Sequence, residues 1–158
     1  MKIEYQPIGF VHSPHQTTNG TPIQPSRARG IEGTVEINEE YVEALADLDG
    51  FSHIILICHL HKASGFKFKV VPYLDTVLRG LFATRAPSRP NPIGLSVVRL
   101  LGVDGRVLRI EGVDLLDGTP VLDIKPYVRD FDDRTDVCCG WLDEVRDRET
   151  AADDRFER

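Results

Sequence analysis

Short apolar runs separated by glycine and proline make up most of this 158-residue chain. Segments 33–40, 66–73 and 94–128 alternate apolar and polar residues, which is the period of a half-buried β-strand. Asp104-Gly105 lies between two such runs and predicts a tight hairpin. Many short strands with few helices predict a mainly β fold, either an antiparallel barrel or a sandwich.

Three further segments complete the prediction of local structure. Residues 3–13 begin with apolar alternation and predict the first strand, whereas residues 51–61 are β-branched and almost wholly apolar. The second pattern predicts a central strand that is buried on both faces. A short helix is predicted over 38–50, with Asn38 as its N-cap, because apolar residues recur there at helical spacing. These residues are Tyr41, Leu45 and Leu48.

The acidic net charge conceals a basic middle of the chain. The formal charge is −6, from 19 Lys and Arg against 25 Asp and Glu. Residues 62–99 contain seven Lys or Arg and one acidic residue, a net +6, whereas 1–61 sum to −5 and 100–158 to −7. This layout is consistent with one anion-binding face, and scattered solvated charges are the alternative.

No pattern indicates export, a membrane span or a disulfide framework. The N-terminus lacks a signal pattern, and no apolar run approaches the ~18 residues of a span, so a cytoplasmic location is predicted. The number of cysteines is odd, and two of them are adjacent: Cys58, Cys138 and Cys139. Signatures of dinucleotide folds, P-loops, serine hydrolases and zinc proteases are absent.

Three of the five histidines share one face of the strand predicted over 51–61, namely His53, His59 and His61. A metal held there would lack an obvious carboxylate or cysteine partner, because Cys58 points to the opposite face. A structural or ligand-lining role is therefore favoured, and no metal is predicted. A metal-dependent hydrolase using these histidines remains a minor alternative.

Residues 82–96, FATRAPSRPNPIGLS, form the most unusual segment. Three prolines exclude a helix and predict a stiff, extended loop. This loop presents Arg85, Arg89 and Asn91 at low conformational cost, as a preorganised site requires. A rigid connector with solvated arginines is the structural alternative.

Residues 114–127, DLLDGTPVLDIKPY, form a second dense segment. Its Asp-Gly pair predicts a tight turn with Asp114, Asp117 and Asp123 around it. Such carboxylates could hold the cationic or hydroxyl groups of a ligand, or act as general bases. A structural ion pair with Lys125 is equally consistent with the sequence.

Together, these two segments resemble the TsaA-like (TrmO) family of S-adenosylmethionine-binding β-barrel proteins. The similarity covers roughly residues 5–142 and includes IGFVHSP (8–14), QPSRARG (24–30) and GFSHIILICHLHK (50–62). The resemblance implies a single-domain, small antiparallel β-barrel with one or two short helices over residues 1–142. A polar tail over 143–158 is expected to follow it.

The resemblance also implies a reaction. Characterised members methylate N6 of threonylcarbamoyladenosine, the modified base next to the tRNA anticodon. The chain is therefore expected to be an S-adenosylmethionine-dependent tRNA methyltransferase, active as a homodimer on the anticodon loop. The alternative is a module that binds S-adenosylmethionine without tRNA activity, or a methyltransferase for a small molecule.

Site residues are carried over from the resemblance. Cofactor contacts are expected from Pro25, Ser26, Arg27, His61, Lys62, Arg85, Leu95, Glu111, Gly112, Val113 and Asp114. Bacterial members have Gln at the position of Lys62. Arg89, Asn91, Asp117 and Lys125 are expected to shape the same pocket, and Lys67, Lys69 and Arg79 to contact phosphates.

Catalysis is expected to need a base, because the acylated N6 is a poor nucleophile until it loses a proton. The candidates are Asp114 and His61. Arg85 or Arg89 is expected to hold the threonyl carboxylate of the substrate.

Overall fold

The computed structural model describes residues 1–22 and 28–145, and eight strands lie within them. The strands are β1 Gly9–His12, β2 Glu32–Ile37, β3 His53–His59, β4 Lys69–Val70, β5 Arg79–Gly80, β6 Ile93–Asp104, β7 Val107–Glu111 and β8 Pro120–Pro126. The 3-10 helices are Glu39–Leu45, Leu48–Gly50, Leu81–Ala83 and Gly140–Glu144, and the α-helix α1 is Arg129–Asp132.

Six strands close into a barrel in the order β1-β2-β7-β6-β3-β8, while β4 and β5 form a separate two-stranded sheet. Every neighbouring pair is antiparallel. The prediction of a mainly β, single-domain barrel with short helices is therefore confirmed. The hairpin at Asp104-Gly105 is confirmed as well, since it joins β6 to β7 with Gly105 at φ 59°.

Inward-facing side chains of the six strands fill the barrel, and β3 shows the alternation clearly. Ile54, Leu56 and Cys58 are fully buried inside the barrel. Cys58 therefore points to the opposite face of β3 from His53 and His59, as predicted. The prediction that this strand is buried on both faces is wrong, because Ile55 and Ile57 are only half-buried on the outer surface. A closed barrel has one packed interior, so the outer face of β3 lies against no second layer within the described chain.

The predicted helix over 38–50 exists as two 3-10 helices, Glu39–Leu45 and Leu48–Gly50. Asp47, between them, has the left-handed backbone conformation with φ 66°, which interrupts the helix. Asn38 does not cap the first helix, because its side-chain amide donates instead to the Pro7 carbonyl at 3.1 Å. The apolar spacing nevertheless identified the correct face, since its three apolar residues pack against the barrel core: Tyr41, Leu45 and Leu48.

The strands predicted over 3–13 and 66–73 are much shorter in the structure. β1 covers four residues and β4 covers two. In the second segment, Phe66 and Phe68 are exposed, whereas Val70 is buried in a small cluster with Leu81 and Ala86. This cluster, called here the satellite core, supports the β4-β5 sheet outside the barrel.

None of the helices in residues 1–22 and 28–145 has the length and apolar character needed to cross a membrane.

Candidate functional site

A cavity of about 790 Å³ opens between the barrel and the satellite core. Its barrel side is formed near the start of β6 and the loop after β7, by Ser96, Asp114 and Leu115. The opposite wall belongs to the proline-rich segment 82–92, and Trp141 closes one edge. This volume lies within the usual range for small-molecule sites, about 300–1,000 Å³.

Asp114 occupies the junction of two cavities. Its carboxylate lines the large cavity and also a smaller one of about 110 Å³. Ser96 is buried on β6 and donates its hydroxyl to Oδ1 of Asp114 at 2.7 Å. The hydrogen bond therefore fixes the orientation of the one carboxylate that both cavities share.

Burial raises the pKa of the Asp114 carboxyl to about 7. The hydrogen bonds from Ser96 and from the backbone, and the positive charge of Arg85, act in the opposite direction but do not cancel this effect. A carboxyl group with this pKa can accept or release a proton near neutral pH. Cys58 lies close by, and burial with the charge of Asp114 raises its pKa to about 12, so this thiol stays protonated.

The loop that carries Asp114 is held in place by the first strand segment. Ser13 donates its hydroxyl to the Leu115 carbonyl at 2.6 Å, and its backbone N–H donates to Asp117 Oδ1 at 3.1 Å. Gly118, with φ 75°, forms the predicted turn and donates to the Val11 carbonyl at 2.8 Å. The segments 8–14 and 114–127 of the sequence thus act together as a support for Asp114.

His61 and Lys62 line the small cavity next to Asp114. Burial, together with the charges of Lys62 and His59, lowers the pKa of His61 below its usual value. The imidazole is therefore neutral at physiological pH. In residues 1–22 and 28–145, no three His, Cys, Asp or Glu side chains are grouped so that they could hold a metal ion.

Two arginines of the proline-rich segment line the large cavity, but their roles differ. Arg89 donates Nη1 to the Thr84 and Ala86 carbonyls at 2.9 and 3.1 Å, which ties the loop into one conformation. Its guanidinium also lies 5.7 Å from the centre of the Phe82 ring. Arg85 is exposed at the cavity, where its charge acts on Asp114.

Of the other expected cofactor contacts that the structure describes, one lines the large cavity and three lie outside both cavities. Leu95 lines the large cavity. Val113 is part of the barrel core, Gly112 donates to the Ile31 carbonyl, and Glu111 accepts from the Gly30 N–H at 3.0 Å. None of these three lines either cavity. Pro25, Ser26 and Arg27 lie outside the described residues.

The residues expected to shape the pocket or to contact phosphates are either paired with other residues of the chain or exposed to solvent. Asp117 accepts from Ser13, and Lys125 pairs with Asp123 at 2.8 Å, the ion pair that the sequence left open. Arg79 donates Nε to Asp75 Oδ2 at 2.8 Å. Lys67, Lys69 and Asn91 are exposed and outside both cavities.

Residues 10–133 match a family model described as the tRNA-methyltransferase O N-terminal domain. The match covers most of the chain. The chain belongs to this family.

Relatives of this TrmO-type chain are found among archaea, bacteria and animals. A probable S-adenosyl-L-methionine-binding protein of Pyrococcus abyssi is 54% identical over 98% of this chain and 84% of its own length. The human tRNA (adenine(37)-N6)-methyltransferase is 35% identical over 84% of this chain and 32% of its own length. The crystal structure of TrmO from Pseudomonas aeruginosa superposes with a TM-score of 0.75 at 42% identity, over 89% of this chain. The chain spans 62% of that TrmO chain.

Sequence reasoning missed three residues of this TrmO-type site: Ser96, Phe82 and Trp141. Ser96 had a usable signal, because it takes an inward position on β6 where Val98 and Leu100 are apolar. A buried polar residue in such a position needs a partner, and Asp114 is that partner. Trp141 donates Nε1 to the Ala83 carbonyl at 2.8 Å, a contact across 58 residues that no local pattern indicates.

Proposed function

We propose that this chain binds S-adenosylmethionine and transfers a methyl group to N6 of threonylcarbamoyladenosine next to the tRNA anticodon. The observation that carries the proposal is Asp114, a half-buried carboxyl with a pKa of about 7 at the junction of two cavities. The names of the relatives support both the cofactor and the tRNA substrate. A tRNA substrate also supports a cytoplasmic location for the protein.

The residues around the two cavities suit S-adenosylmethionine. The cofactor combines an adenosine, a positively charged sulfonium and an amino acid end, so it needs apolar surface together with groups of both charges. Leu95 and Leu115 supply apolar surface, Arg85 a cation for a carboxylate, and Asp114 an anion. His61 and Lys62 extend the site into the small cavity, and Pro25, Ser26 and Arg27 stay as predicted contacts.

Bound S-adenosylmethionine supplies an electrophilic methyl group. The protein has to position the acceptor, exclude water and take the proton from N6. Asp114 suits the last task better than His61, because it borders the large cavity as well as the small one. The apolar part of the lining limits the water around the reacting atoms, and Arg89, which also borders the large cavity, is assigned to the threonyl carboxylate.

Ser96→Ala tests whether the hydrogen bond from Ser96 lowers the pKa of Asp114, the proposed base. The hydrogen bond from Ser96 lowers the pKa of Asp114, so its loss raises that pKa further above about 7. The pH at which the methylation rate reaches half of its maximum should therefore move upward. Steady-state rates measured across the neutral and mildly alkaline range show the shift. Ser52→Ala is a matched control, because the exposed Ser52 hydroxyl bonds to the neighbouring His53, and the substitution keeps the backbone carbonyl that accepts from the Leu100 N–H. An unchanged profile in Ser96→Ala would contradict the assignment.

Methylation of the nucleoside itself is the direct test of the function. Purified protein is incubated with S-adenosylmethionine and tRNA with or without the threonylcarbamoyl group, and the nucleosides are analysed by mass spectrometry. The expected product is N6-methylated threonylcarbamoyladenosine, formed only in the modified tRNA. Tight cofactor binding with no product on any tRNA would instead support a binding module.

We also propose that two copies of the chain form a homodimer through the outer face of the barrel. On the outer face of the barrel, Ile57 of β3 pairs with Leu95 of β6, and Ile55 pairs with Val97. Leu95 is 52% exposed, and this apolar face continues into the large cavity through Ile93. A second copy placed here buries the apolar face and borders the site. Light scattering should give twice the 17.7 kDa of one chain, and a mass of one chain would contradict the dimer.

A further inference from the structure

Three phenylalanines in the basic part of the chain are exposed to solvent. Phe66 is 47% exposed, Phe68 84% and Phe82 79%. The rings of Phe66 and Phe68 contact each other edge to face, with centroids 5.8 Å apart. The three residues are called here the aromatic strip. Large apolar side chains grouped in this way on a surface indicate a partner.

The β4-β5 sheet joins the aromatic strip to the cavity. Lys69 pairs with Gly80, and the Leu81 N–H donates to the Phe68 carbonyl at 2.9 Å. Phe82 directly follows Leu81, and its side chain lines the large cavity. A ligand lying on Phe68 is therefore close to the rim of the cavity that contains Asp114.

Positive charge accompanies the aromatic strip. Lys67 and Lys69 alternate with Phe66 and Phe68 in the sequence, and both lysines are exposed. In residues 1–22 and 28–145, neither lysine forms an ion pair. The Arg89 guanidinium stacks over Phe82. The strip thus offers flat apolar faces for rings and free cations for phosphates.

We propose that the aromatic strip, with Lys67 and Lys69, binds unpaired nucleotides of an RNA loop by stacking their bases. Aromatic faces alternating with cations are typical of single-stranded RNA recognition, in which bases stack and lysines contact phosphates. The proposal rests on the proposed function, since it assigns the surface that presents the tRNA loop to the cavity. A lipid surface also takes phenylalanine and lysine, but it does not explain why the strip leads into the cavity.

Binding of a fluorescent RNA hairpin with an unpaired loop, measured by anisotropy, tests the proposal. Phe68→Ala should weaken binding by about tenfold, the range found when a stacking aromatic residue is removed. Phe68→Trp should restore binding. Lys69→Gln should reduce the slope of log affinity against log salt by about 0.7, as expected for one phosphate contact with a single strand. Calorimetry with S-adenosylmethionine should give the same affinity in all these variants.

Phe131→Ala is the matched control, because Phe131 is 72% exposed but lies on α1, outside the strip. The proposal is overturned if wild-type protein does not bind the hairpin, or if Phe68→Ala and Phe131→Ala weaken binding equally. Equal affinity for the hairpin and for its fully paired duplex also overturns it. Phe68-dependent binding to anionic phospholipid vesicles, with RNA binding unchanged in Phe68→Ala, would assign the strip to a membrane instead.

Failure of this proposal is distinguishable from failure of the proposed function. If Phe68→Ala binds and methylates tRNA as the wild type does, the strip is not the RNA surface and the methyltransferase stands. If the wild type binds the loop through Phe68 but forms no methylated nucleoside, the strip stands and the methyltransferase is wrong.

Discussion

Asp114→Asn is expected to slow methyl transfer to tRNA by about 100-fold or more, within the range of about 10²–10⁴ that general-base catalysis contributes. The amide preserves the shape of the side chain and can still accept from Ser96, which lies 2.7 Å away. It cannot take a proton from N6. Single-turnover rates at saturating cofactor measure the loss, and calorimetry should show that the variant still binds S-adenosylmethionine, although more weakly because the anion near the positively charged cofactor is gone.

The pH dependence gives this variant a second signature. The wild-type rate should rise as pH increases through about 7, because Asp114 acts as a base only when ionised. Asp114→Asn should show no such rise. Stability changes in the opposite sense: burial raises the pKa of Asp114 in the folded protein, so its stabilising contribution is lost as pH rises toward 7. The melting temperature of Asp114→Asn relative to wild type should increase from about pH 4 to 7 and then level off.

Asp104→Asn is the control for this substitution. Asp104 is exposed at the β6-β7 hairpin, far from Asp114 in the barrel, and an Asn-Gly pair forms the same type of turn. This variant should methylate tRNA at the wild-type rate. A full rate in Asp114→Asn, or an equal loss in the two variants, would show that Asp114 is not the base.

Gly9→Ala is expected to destabilise the barrel by about 3 kcal/mol, at the upper end of overpacking effects. A Cβ on Gly9 would lie 2.4 Å from the Glu36 carbonyl oxygen and 3.0 Å from Cα of Ile37. Both atoms are backbone of β2, which pairs with β1 along this edge, so no side chain can move aside. The melting temperature should fall by roughly 10 °C for a domain of this size.

Gly50→Ala carries the same change of residue without the clash. A Cβ at Gly50 meets no atom within 4 Å, and its φ is not positive. Thermal unfolding followed by circular dichroism should give a midpoint close to that of the wild type. Similar midpoints for Gly9→Ala and Gly50→Ala would mean that β1 and β2 separate easily, contrary to the closed barrel.

The barrel was predictable from the sequence because its strands follow the simplest rule of β-structure. Ile54, Leu56 and Cys58 alternate with outward residues, and Asp104-Gly105 marks the hairpin. Alternation shows which residues share a face of a strand. It does not show whether another layer of the protein covers that face. For this reason the rule failed at Phe66 and Phe68, which have the parity of the buried Val70 but lie in solvent.

The candidate site was predictable only in part. The resemblance indicated Arg85, Leu95 and Asp114, and the structure places all three at the large cavity. The hydrogen bonds by which Arg89 stabilises its own loop were not predictable, because they depend on the backbone conformation of Thr84 and Ala86. Contacts made at long sequence separation, such as that between Trp141 and Ala83, leave no local pattern either.

The satellite core separates one wall of the large cavity from the packing of the barrel. Val70, Leu81 and Ala86 form a cluster of their own, and none of them belongs to the barrel interior. Residues that this cluster supports can therefore change without a penalty in barrel folding, while Ser96 and Asp114 keep their positions on the barrel side. In evolution, such an arrangement allows the surface beside the cavity to diverge without rebuilding the barrel side of the site.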